Sequence, residues 1–196
     1  VLPDGRRVDL EVDRGCQQLK GENFVNDGKQ LVYHEQENGK RIQWHTLSVP
    51  RGGEYKLVLA DGTRVWLNAA SELMYPDHFS ADQRKVVLKG EAYFEVTKDV
   101  KRPFSVVLGD MEVKVLGTSF NVSAYPGVKR QTTLIEGQVA VNWHRQQVVI
   151  RPGQQAAETD EGLRVASVNV MNYVGWKEHR FVYENKLLGE VLELSL

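Results

Sequence analysis

In two runs between residues 57 and 96, separated by turn residues, apolar positions alternate with polar ones at a period of two, the pattern of strands that lay one face on a core. Leu57 and Leu59 are matched by Val65 and Leu67 across Asp61-Gly62. An Asp-Gly pair between two such runs predicts a hairpin, because glycine takes the positive φ of a tight turn without steric cost. In the next run Val86, Leu88, Gly90, Ala92, Phe94 and Val96 share one face, and Lys89, Glu91, Glu95 and Thr97 the other. Further runs at 103–108, 112–115, 120–125, 132–134, 138–143, 147–150 and 163–168 are broken by Gly109-Asp110, Leu116-Gly117-Thr118, Glu136-Gly137 and Pro152-Gly153. The pattern predicts an all-β domain of at least ten short strands, a twisted antiparallel β-sandwich or a β-solenoid-like stack.

Residues 1–45 read as an amino-terminal β extension of the same sheet system, and residues 46–175 as the main all-β domain. Leu31 to Tyr33 and Arg41 to Leu47 flank Asn38-Gly39 and predict a second hairpin. The stretch from Leu2 to Leu10 echoes that from Leu59 to Leu67, with Leu, Asp, Gly, Arg, Val and Leu in register. Two copies do not make a solenoid, but they predict that the first turn packs like the central one. Asn68 to Leu73 predicts a brief helical turn, limited by Tyr75-Pro76 because the residue before proline avoids helical angles. Only residues 176–196 change period. There Phe181-Val182-Tyr183 predicts a strand, and Leu187, Leu188, Val191 and Leu192 recur at helical spacing after Asn185. Gly189 weakens that helix by roughly 1 kcal/mol relative to alanine.

Composition narrows the function classes. The chain has 196 residues, 41% of them apolar, enough for one sizeable core. Lys and Arg number 25 against 26 Asp and Glu, so no overall charge draws nucleic acid or anionic lipid. Cys16 is the single cysteine, which excludes an intramolecular disulfide. No run reaches the ~20 apolar residues of a membrane helix, and the opening residues are not a signal peptide.

Candidate chemistry is sparse. Glu91 and Glu95 share a strand face four residues apart, about 13 Å on a regular strand. Glycosidase carboxylates stand roughly 5–9.5 Å apart, so the pair reads as a solvent-facing ladder and not as a catalytic dyad. The histidines at 34, 45, 78, 144 and 179 show no His-x-His or His-x-x-x-His spacing. No metal site or cofactor is therefore expected, and no phosphate loop or nucleophile elbow is present. Among Trp44, Trp66, Trp143 and Trp176, Trp66 lies opposite Val65 and Leu67 in the alternation and beside Arg64. It is the best candidate for an alternative reading, a carbohydrate-binding sandwich that stacks indole on sugar, and burial under a neighbouring loop is the favoured account of it, since large aromatics dominate cores and interfaces.

An ordered set of short motifs carries a family resemblance. It runs Asp61-Gly62-Thr63 with Leu67-Asn68, Tyr75-Pro76 and Phe79, Arg84, and Gly90-Glu91-Ala92-Tyr93-Phe94. It continues through Pro103-Phe104, Val115 to Thr118, Phe120-Asn121-Val122, Glu136-Gly137 and Pro152-Gly153-Gln154. In this order and spacing the chain resembles a FecR-type regulator over roughly residues 47–185. The resemblance implies the periplasmic sensor region of a membrane-anchored anti-sigma factor, acting by binding and not as an enzyme. Its implied partner is the signalling domain of an outer-membrane TonB-dependent transducer, whose nutrient signal reaches an extracytoplasmic-function sigma factor. The sigma factor and membrane would be met through a cytoplasmic segment and a transmembrane helix missing here. Residues 176–196 would start a truncated α+β lobe, with Phe181, Val182 and Tyr183 as the docking edge. Some relatives cleave themselves at a Gly-Thr bond, and Gly117-Thr118 matches that motif best, with Gly62-Thr63 second.

Overall fold

The computed structural model describes residues 1–6, 24–26, 30–33 and 41–178. Its longest strand, β7 (Arg84–Glu95), turns Val86, Leu88, Ala92 and Phe94 inward, each at most 2% exposed. The first half of β7 pairs with β6 (Ser71–Pro76) and β8 (Phe104–Leu108). The second half pairs with β5 (Arg64–Leu67) and β10 (Ser119–Ala124). Partners change at Gly90, where φ is +94° and a Cβ would fall 2.4 Å from Ser71 Oγ and 2.7 Å from its Cα. Only glycine fits there, so β7 can leave one group of strands and enter another.

Two arms result. One runs β1 (Phe24–Asn26), β2 (Gln30–Tyr33), β4 (Tyr55–Val58), β5, β7, β10, β11 (Gln131–Glu136), β14 (Gln154–Thr159) and β15 (Gly162–Ser167). The other runs β3 (Trp44–Val49), β6, β7, β8, β9 (Met111–Val115), β12 (Val139–Trp143) and β13 (Gln146–Ile150). Their inner faces share one core. Phe94 stacks on Phe120 of the first arm at 5.2 Å and meets Phe104 of the second at 6.1 Å. The all-β class holds; most ladders are antiparallel, and β2–β4 and β7–β8 are parallel.

The central hairpin forms in the expected register, Leu57 opposite Val65, with Leu57, Leu59, Val65 and Leu67 buried. The first turn repeats it. Leu2 N–H donates to Arg6 O and Gly5 N–H to Leu2 O, as Leu59 N–H does to Thr63 O and Gly62 N–H to Leu59 O, all at 2.9 Å. Two expectations fail. Residues 71–76 are strand β6 and not a helical turn, because Ser71, Leu73 and Tyr75 alternate into the core opposite β3. The runs flanking Asn38-Gly39 do not pair as a hairpin: β2 joins β4 in one arm and β3 joins β6 in the other. Each run has its own buried face, and the arm that covers it decides its partner. Residues 34–40 themselves lie outside the described residues.

Beyond β15 the chain forms α1 (Met171–Val174) and a 3₁₀ turn (Gly175–Glu178). The expected strand at 181–183 and helix at 187–192 lie outside the described residues, as does Cys16. Among the described residues no helix is long and apolar enough to cross a membrane.

Candidate functional site

The motif residues that are scattered in sequence meet in two polar clusters bordering β7. The first is closed to water. Asp61 Oδ1 accepts the Thr63 N–H at 3.0 Å, and Oδ2 accepts the Thr63 hydroxyl at 2.7 Å and Arg84 Nη1 at 2.8 Å. Arg84, fully buried at the start of β7, also donates from Nε to Arg102 O and from Nη1 to Thr97 O, with its guanidinium 5.5 Å from the Phe104 ring centre. Thr97 N–H returns to Thr63 Oγ1 at 3.2 Å. A buried ion pair is tolerated when its remaining donors and acceptors are satisfied in this way. The Asp-Gly-Thr turn is thereby fixed to the entry of the central strand.

The second cluster lies on the outer face of the first arm. Glu91 accepts one hydrogen bond from Asn68 Nδ2 and one from Asn121 Nδ2, both at 2.8 Å. Burial raises the Glu91 carboxyl above its ordinary range, and the two amide donors pull it back. Its backbone N–H donates to Ser71 Oγ at 2.8 Å, beside the Gly90 crossing. The expectation of a solvent-facing ladder is therefore corrected at Glu91, which is half-buried and hydrogen-bonded. Glu95 is also engaged, 2.7 Å from Arg64 and 3.7 Å from Lys177.

The last of the described residues cover this face. Trp176 Nε1 donates to Asn121 Oδ1 at 3.3 Å, and Lys177 Nζ stands 4.1 Å from the Tyr93 ring centre and 5.2 Å from that of Trp66. Trp66 and Tyr93 meet edge to face at 5.6 Å. An ammonium against two aromatic faces is held by about 0.5–2 kcal/mol, more as water is excluded. Trp66 also carries Lys56 Nζ at 5.1 Å; this differs from the open indole face that sugar stacking uses. Lys177, Trp176 and Glu95 had no sequence signal as a group, since nothing in local spacing ties residue 177 to residues 66, 93 and 95.

Of the remaining motif residues, Phe94 is core, and Gly62 supplies the turn at φ +80° and Gly153 another at φ +83°. Gly137 admits close approach, because a Cβ there would lie 2.9 Å from Thr118 Oγ1 and 3.1 Å from Gly117 O. Thr118 is buried and its hydroxyl donates to Gln138 O at 3.1 Å. That partner is a carbonyl, not a base that could take the proton. Gly117 lies against Lys98, whose Cα would be 2.6 Å from an added Cβ. Phe181, Val182 and Tyr183 lie outside the described residues. Among the described residues no group of three His, Cys, Asp or Glu side chains is placed to hold a metal ion.

Comparison with known proteins places this architecture. Residues 45–140 match the family model described as FecR protein. Two crystal structures of a candidate anti-sigma factor from Parabacteroides distasonis superpose with a TM-score of 0.69. One is 30% and the other 29% identical, and each alignment covers 76% of this chain and 72% of the other. No curated protein matches the sequence.

Proposed function

The chain belongs to the FecR family, and from that premise we propose that it is the sensing and transmitting part of an anti-sigma factor. The observation that carries this reading is the 30% identity, over most of both chains, to a candidate anti-sigma factor. In this reading the chain lies in the periplasm, in a protein anchored by one membrane helix. It binds the signalling domain of an outer-membrane TonB-dependent transducer and relays nutrient availability to an extracytoplasmic-function sigma factor. Contact with the sigma factor falls to a cytoplasmic segment outside these 196 residues.

The geometry suits that role. The described motif residues build fixed polar clusters and close backbone approaches, which give a lever that keeps its shape while a partner acts on it. The function needs binding and no catalytic turnover. A partner shifts the conformational equilibrium of such a lever only by its differential affinity for the two states. A reporter gene under the cognate sigma factor tests the reading in cells. Asp61→Asn in the full-length regulator, which loosens the turn at the entry of β7, is expected to blunt induction by the nutrient several-fold. An unchanged induction ratio at equal protein level counts against transmission through this domain. Cleavage at Gly117-Thr118 would be a single-turnover addition, checked by the intact mass before and after prolonged incubation.

A further inference from the structure

Trp66, Tyr93 and Glu95 surround one ammonium position with two aromatic rings and a carboxylate, and Lys177 of the same chain fills it. The neighbouring Trp176 has its own receptor, Asn121 Oδ1, on an amide held in place by donation to Glu91. We propose that this face is a binding site for a peptide step of an aromatic residue followed by lysine, occupied in cis by Trp176-Lys177. A protein partner that offers such a step displaces residues 171–178, which act as a releasable strap. That this partner is a transducer's signalling domain rests on the function proposed above; the cage and its selectivity do not.

The chemistry of the cage selects its occupant. Two aromatic faces favour an ammonium over a neutral side chain, and the carboxylate excludes an anion. Lys177 is only 16% exposed there, so its site is formed rather than incidental. At its start Met171 N–H donates to Asn169 Oδ1 at 3.2 Å, a bond within the same stretch of chain. α1 is one turn long, Val170 at its N-cap makes no side-chain capping bond, and Val174 is its single buried residue. A helix of one turn does not persist in water unaided. Among the described residues the Trp176 and Lys177 contacts and the burial of Val174 hold the strap on the sheet, and a competitor replaces the first two.

The test uses a fluorescein-labelled peptide of residues 170–178, titrated into the full chain carrying Trp176→Ala and Lys177→Ala. Saturable binding is expected, at least ten-fold weaker for a peptide with Lys177→Glu. Binding to the unaltered chain, whose own strap fills the site, should be weaker by a similar factor. No binding to the emptied chain, or equal binding of both peptides, overturns the proposal. Hydrogen exchange of the Lys177→Met chain covers the case in which the double variant folds poorly. Amides 173–177 should exchange at least ten-fold faster while those of β7 and β10 do not change, and unaltered strap exchange contradicts the proposal. Loss of heat with a transducer's signalling domain alone bears on the functional reading, because the peptide experiment contains no transducer.

Discussion

A guanidinium without solvent must find partners for its donors inside the protein, and Arg84 finds them in Asp61, Thr97 and Arg102. Arg84→Met is expected to lower unfolding free energy by about 3–5 kcal/mol, because it leaves the Asp61 carboxylate buried and unpaired. Adding Asp61→Asn should cost less than the sum of the two single changes; urea unfolding of the three variants measures both effects. His45 supplies a pH dependence. Its ring is 2% exposed, Nδ1 is 3.0 Å from the Tyr33 hydroxyl, Nε2 has no hydrogen-bond partner among the described residues, and burial lowers its pKa below 6.5 against the pull of Asp77. The unfolded chain then binds the proton more readily. Stability contributed by the neutral ring is complete above about pH 6.5 and declines on acidification, by up to about 1.4 kcal/mol per pH unit. Denaturant midpoints between pH 7 and 5 should fall less steeply for His45→Phe, and parallel slopes would refute the assignment. Asp61, Thr63, Arg84, Asn68, Glu91 and Asn121 were all legible as motif members in the sequence. Their pairing was not, because contacts between residues 61 and 84, or 91 and 121, are made by the return of distant strands and leave no local period.

Among the elements, β7 was the most legible, since twelve residues of alternation admit no helical reading. Its change of partners halfway along was hidden in Gly90, which in sequence looks like any small inward residue. Gly90→Ala would place a Cβ on Ser71 at a φ of +94°. Strain and overpacking together should cost about 3 kcal/mol, read as a lower thermal midpoint, and a midpoint within a degree of the parent would mean that the crossing yields easily. Strand β14 was not expected, because Gln154-Gln155-Ala156-Ala157-Glu158-Thr159 has little β propensity and is made a strand by pairing with β11 and β15. The strap of α1 and the 3₁₀ turn was equally silent. Its eight residues have no apolar stripe, and the sheet face beneath them, not their own propensity, gives them a conformation.

At the scale of the molecule, two arms joined along one strand give a body in which the central hairpin and the strap meet β7, and the amino-terminal turn meets β3, which reaches β7 through β6. Val1 pairs with Thr46 at the edge of β3, and Lys177 reaches Glu95 at the end of β7. Such a body can carry a displacement at one end to the other because packed interiors yield little. Family and fold class were readable from ordered motifs and alternation. The cage was not, since it requires the folded sheet to bring residues 66, 93 and 95 to residue 177. Calorimetric titration of this 196-residue chain with the signalling domain of the cognate TonB-dependent transducer tests the central claim most directly. Saturable heat at one-to-one stoichiometry is the predicted result. A flat titration, under conditions where that domain is folded and the chain keeps its β-sheet signature, would contradict it.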